Sequence, residues 1–140
     1  MSAARRLLRP RVVCSHGMQP SLRPTAAAFA EGFPEAEIVN LMDDSLARDV
    51  QDPSGLDATM HDRFSSLGAY ARGLARADAI LFTCSAFGTA IERVQAEARD
   101  DGGDMPVLKP NEALQREAVD AGGLLGVLSM FEPTLPSIER

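Results

Sequence analysis

The chain has 140 residues, a formal net charge of −6, 45% hydrophobic content and no tryptophan. That is the length of one domain with enough apolar residues for a core. The acidic balance excludes the basic footprint of a nucleic-acid binder, the 5% of aromatics offers no stacking platform for bases or sugars, and no apolar run reaches the length of a membrane span.

The one basic cluster, Arg5, Arg6, Arg9 and Arg11, opens the chain. It reads as an N-terminal arm over residues 1–10, expected to be disordered, because it runs into a strand with no cleavage-like segment. Arg11-Val-Val-Cys14 predicts the first strand, stopping at Ser15-His16-Gly17. Met18 to Pro24 is a loop. Thr25 then caps a short helix over Ala26–Glu31, closed by Gly32 and Pro34. Ala36 to Met42 is the second strand, ending in Asp43-Asp44. A polar loop from Ser45 to Gly55 carries the turn residues Asp52-Pro-Ser-Gly55.

Leu56 to Ala77 is the longest helical stretch. Met60, Phe64, Leu67, Ala71 and Leu74 recur three and four apart and form one apolar face. Ala79 to Thr83 is the third strand. Thr89 to Arg99 is helical, with Ile91, Val94 and Ala98 turned inward. After the turn Asp100–Asp104 comes a fourth strand, Met105–Leu108, edge-like at its proline. Asn111 caps a helix from Glu112 to Ala121 that Gly122-Gly123 terminates. Leu124 to Met130 predicts a fifth strand, apolar on both faces, and a proline-punctuated segment Glu132–Ser137 follows. Strands alternating with helices imply an α/β fold, a flavodoxin-like or Rossmann-like parallel sheet with helices on both faces.

The run Asp78-Ala-Ile-Leu-Phe-Thr-Cys-Ser-Ala-Phe-Gly88 concentrates the chemistry. It delivers a thiol and two hydroxyls to the carboxyl end of a parallel strand, where open α/β sheets bind ligands. Cys84 is the leading candidate, because the helix that follows lowers a thiol pKa through its N-terminal field. The competing reading is a small buried apolar residue, and for Cys14, flanked by valines, that reading is favoured. His16 could reach the same edge. His61 lies among polar residues and reads as part of a solvated face. Asp43 and Asp44 could hold Mg²⁺ or a ribose, but capping before Ser45 explains them more simply. Lys109 could attract an anionic substrate or be a surface charge. Two Cys and two His, widely spread, make no metal-site spacing. The glycine patterns of dinucleotide and Walker sites are absent. With no disulfide framework and no signal peptide, a soluble cytoplasmic protein with reduced thiols is expected.

Three segments carry a family resemblance: Ile80-Leu-Phe-Thr-Cys-Ser-Ala-Phe-Gly88, Pro106-Val-Leu-Lys-Pro-Asn-Glu-Ala113 and Gly126-Val-Leu-Ser-Met-Phe-Glu-Pro-Thr-Leu-Pro-Ser137. Together they resemble the aspartate/glutamate racemase superfamily, from about Arg11 onward. The resemblance implies two similar α/β lobes with the active site between them, no cofactor and no metal. It implies a cysteine from each lobe exchanging the α-proton of a small amino or dicarboxylic acid. Cys84 matches the first-lobe cysteine and Ser85 the carboxylate-binding position. Thr134 and Ser137 match the second-lobe loop that binds the same carboxylate.

On that footing residues 11–123 form the first lobe, and residues 124–140 the first strand and loop of a second, apparently truncated. The second-lobe cysteine has no counterpart, and Cys14 lies on the wrong strand to replace it. The expected function is a cofactor-independent racemase or isomerase. The alternatives are a non-catalytic small-carboxylate binding domain, an inactive fragment, or a decarboxylase with one cysteine. An uncovered final strand predicts either a homo-oligomer or a partner that supplies a second lobe.

Overall fold

The computed structural model describes residues 9–138. The arm expected over residues 1–10 falls, for residues 1–8, outside the described residues. Four strands, β1 (Arg11–His16), β2 (Glu37–Met42), β3 (Ala79–Phe82) and β4 (Val107–Leu108), form one sheet. Every pairing is parallel and the order is β2-β1-β3-β4. The helices are α1 (Leu22–Gly32), α2 (Leu46–Asp49), α3 (Ala58–Arg72), α4 (Gly88–Asp100), α5 (Glu112–Ala121) and α6 (Leu135–Ile138). This strand order, with helical crossovers, is that of the doubly wound, flavodoxin-like α/β fold. The order reverses direction between β1 and β3.

The core lies between the sheet and the α3–α4 pair. Val13, Ile80, Phe82 and Val107 alternate onto this face and meet Met60, Phe64 and Ala71 of α3 and Ala90, Ile91, Val94 and Ala98 of α4. Phe64 stacks in tilted geometry on Phe82 and Phe87, with ring centroids 5.3 and 4.8 Å apart. A fully buried phenylalanine contributes about 1.5–3 kcal/mol by area alone. Gly68 lets the two helices close: a Cβ there would sit 2.5 Å from Val94 Cγ1. α3 starts where Asp57, in extended conformation, accepts the Met60 N–H at 2.9 Å. It stops at Gly73, shorter than the expected helix to Ala77, and Leu74 is therefore exposed.

The remaining helices pack differently. Neither α1 nor α5 buries a residue fully. α1 begins at Leu22 instead of Ala26, and Thr25 is not its cap: its hydroxyl donates to Ser21 O at 2.7 Å inside the helix. The polar loop expected from Ser45 contains α2, whose Leu46 and Ala47 are buried.

The expected fifth strand is not formed. Residues 124–130 pair with no strand, and Leu124, Leu128 and Met130 are fully or almost fully exposed. An apolar run forms a strand only if a sheet edge and a covering layer receive it. Gly122 and Gly123, both at positive φ, turn the chain out after α5, and no helix covers the stretch. The loop expected over Glu132–Ser137 is a 3-10 turn, Glu132–Thr134, running into α6.

Candidate functional site

The reversal between β1 and β3 opens a crevice at the carboxyl ends of the strands, the ligand position of doubly wound sheets. The Thr83 N–H donates to Ser15 O at 3.0 Å, extending the ladder one residue past β3. Cys84 follows in extended conformation, and Ser85–Phe87 make a 3-10 turn that leads straight into α4. The chain therefore presents Cys84 and Ser85 at the crevice, one residue after the sheet releases it.

Cys84 is half-buried against Gly17, where a Cβ would lie 3.7 Å from the Cys84 Cβ. Burial pushes its thiol pKa up, and a backbone hydrogen bond from Ala86 opposes this without cancelling it. This corrects the expectation of a thiol lowered by the helix that follows: desolvation is the larger effect and the Ala86 hydrogen bond the smaller. Cys14 is fully buried, and its thiol is pushed up to about 11 by desolvation.

Ser85, Thr134 and Ser137 converge, although the last two lie about fifty residues further along the chain. Ser85 Oγ and Thr134 Oγ1 are 3.1 Å apart. The Gly88 N–H donates to Ser137 Oγ at 3.3 Å. The absence of a side chain at Gly88 makes room for this contact, since a Cβ would stand 2.9 Å from that oxygen and displace it. Ser85, Gly88 and Ser137, but not Thr134, line a cavity of about 30 Å³ together with Lys109, Asn111 and Gln115, which is the room of roughly one water. Lys109 is paired with Glu92 at 3.1 Å, so its charge is partly answered. Cys84 does not line this cavity.

His16 lies at the same edge, fully buried, but every ring nitrogen is engaged. Nδ1 is 2.7 Å from Ser21 Oγ and 3.0 Å from Thr83 Oγ1, and Nε2 is 3.0 Å from Asn40 Oδ1. Desolvation lowers its pKa, with the Asn40 hydrogen bond opposing. It clamps β1, β2 and β3 at their ends. Asp43 is an ion-pair partner: Arg63 bridges Asp43 and Asp49, and Ser45 donates to Asp43 Oδ1 at 2.7 Å. Burial pushes the Asp43 carboxyl up, and the Ser45 and Arg63 hydrogen bonds more than reverse this, holding it below the usual range. Among the described residues no group of three or more His, Cys, Asp and Glu side chains could hold a metal ion. Also among them, no helix is long and apolar enough to cross a membrane.

One arrangement was not foreseen. His61, read as part of a solvated face, hydrogen-bonds Thr89 of α4 through Nε2 at 3.1 Å. Its other nitrogen meets Asp57 O at 2.7 Å. Nothing in the local pattern pairs residues 61 and 89; the Ser65–Glu97 and Asp62–Arg93 contacts across the same two helices are equally silent in the sequence.

No protein-family model, no curated protein and no solved structure matches the chain.

Proposed function

We propose that this chain is a racemase-like lobe acting on a small amino or dicarboxylic acid without a cofactor. In this reading Cys84 transfers the proton at the α-carbon. Ser85, Thr134, Ser137 and the Gly88 N–H hold the substrate carboxylate. The observation that carries the reading is the convergence of those three hydroxyls on the start of α4, beside Cys84 and at the β1/β3 reversal. A helix start with N–H and O–H donors favours a carboxylate, and a neighbouring thiol is a competent acid or base.

The raised thiol favours a second reading within the same site. A group that rests protonated is a better donor than acceptor, so Cys84 is suited to protonating a carbanion, as a one-cysteine decarboxylase would require. A carboxylate-binding module without turnover is the non-catalytic alternative.

Incubation in heavy water with aspartate, glutamate or a substituted malonate, followed by NMR, separates the three. Exchange at the α-carbon is expected, reduced roughly 100-fold or more in Cys84→Ser. Decarboxylation of the malonate without amino-acid exchange selects the donor reading, and saturable binding without either selects the module. Undiminished exchange in Cys84→Ser, or alkylation of Cys14 ahead of Cys84 with no protection by ligand, removes Cys84 from the site.

A further inference from the structure

We infer that His61 and Thr89 form a second reactive site, a hydroxyl–imidazole pair that accepts acyl groups from small uncharged esters. Asp57 O, the carbonyl of the residue that caps α3, can only accept a hydrogen bond. The His61 Nδ1 that lies 2.7 Å from it therefore carries the ring proton. In the neutral ring Nε2 then has a free lone pair, and the Thr89 hydroxyl 3.1 Å away donates to it. This is the arrangement that activates a hydroxyl nucleophile: a base within hydrogen-bond reach, held in the right tautomer by a third group. A backbone carbonyl here fixes the tautomer and the ring orientation, one of the two roles of a triad carboxylate, without its charge.

Thr89 stands at the wall of a groove of about 760 Å³, while His61 does not line the groove. That volume is in the range of small-molecule sites. Leu56, Ala86 and Phe131 give the groove apolar walls, Gln51 a neutral polar group and Glu132 a negative charge. No lysine or arginine lines it. An anionic substrate is disfavoured by this lining and an uncharged acyl compound fits it, in contrast to the Lys109-lined cavity on the other side of Ser137.

The step is an acyl transfer. Thr89 Oγ bonds to the ester carbonyl carbon as its proton passes to His61 Nε2. The bond from that carbon to the leaving oxygen breaks, the leaving group departs as its anion, and the proton on Nε2 is then lost to solvent. The acyl group stays on Thr89, because His61 does not line the groove and reaches no water there. The site needs neither Cys84 nor the carboxylate cluster, so its failure leaves the proposed function untouched.

The test is acetylation of the full chain by p-nitrophenyl acetate, with the modified residue located by peptide mass mapping. One acetyl group on Thr89 is expected, retained in Thr89→Ser, absent in Thr89→Val and formed roughly 100-fold more slowly in His61→Gln. Added imidazole should restore the rate in His61→Ala. Acetylation of the wild-type chain confined to lysines or cysteines overturns the assignment without recourse to any variant. So does an unchanged rate in a folded His61→Gln.

Discussion

The sheet face under α3 and α4 and the stretch from α5 to residue 130 have similar apolar content and opposite fates. On the first, Phe64, Phe82, Phe87, Ile91 and Val94 are all buried and touch one another. On the second, Leu114, Val119, Leu124, Leu128 and Met130 are all exposed. Composition does not separate them, and neither does helical periodicity, since α5 is as one-sided as α4; a receiving surface does. In α3 and α4 the apolar residues recur on one side of a helix that another element meets. In 124–130, Leu124, Leu125, Val127, Leu128 and Met130 crowd together without helical spacing and pair with no strand. The chemistry follows the same division. Cys84, Ser85 and Thr89 are carried on the packed half, and Thr134 and Ser137 reach them only because Phe131 and the buried Thr134 anchor the chain's end on that half.

The largest expected effect tests the packed half. Phe64 is 2% exposed and is the ring shared by both aromatic contacts. Phe64→Ala should cost about 3–5 kcal/mol, since transfer and cavity contributions add. Urea unfolding followed by far-UV circular dichroism measures it. A loss below about 1 kcal/mol would mean that the cluster is loosely packed and that the two regions do not differ as described.

A smaller effect sharpens the comparison at the polar rim of the packed half. His16 is fully buried and its pKa is lowered. The unfolded chain therefore binds a proton more readily than the folded one. The stability associated with a neutral His16 is fully present above the unfolded value of about 6.5 and declines as pH falls from there through the folded value. The urea midpoint should drop as pH falls below about 6.5, and His16→Gln should flatten that slope while lowering the midpoint throughout. An identical slope in the variant would assign the pH dependence to other groups.

The same division decides what was readable from residues alone. The first strand (seen to continue to His16), the third strand and the α4 face of Ile91, Val94 and Ala98 were legible, because local period and burial agree there. α5 from Glu112 to Ala121 was legible from its one-sided pattern although it buries no residue fully. The resemblance named Ser85, Thr134 and Ser137 together; the Ser85–Thr134 and Gly88–Ser137 contacts show that they lie near one another. The fifth strand was misread because an apolar run signals a strand only where the tertiary fold supplies a neighbour. The Cys84 thiol was read in the wrong direction because desolvation is invisible to a motif. The Asp43–Arg63–Asp49 bridge and the His61–Thr89 pair join positions 14–28 residues apart, and no spacing rule reaches across separately placed helices.

The smallest expected effect tests the exposed stretch. Leu128 is 96% exposed and lies in the run without strand partners. A side chain that stays in water in the folded state loses nothing when made polar, so Leu128→Ser should shift stability by no more than about 0.5 kcal/mol. Set beside Phe64→Ala, the pair asks whether two apolar residues of one chain differ several-fold in what their removal costs. A loss of about 1 kcal/mol or more in Leu128→Ser breaks the comparison. Repeating the measurement across a hundredfold range of protein concentration, as an order of magnitude, then identifies the cause. A concentration-dependent loss means that Leu128 is covered by a second copy of the chain, which light scattering would register as a dimer. A concentration-independent loss means that the run docks on its own sheet in solution and completes the fifth strand that its residues describe.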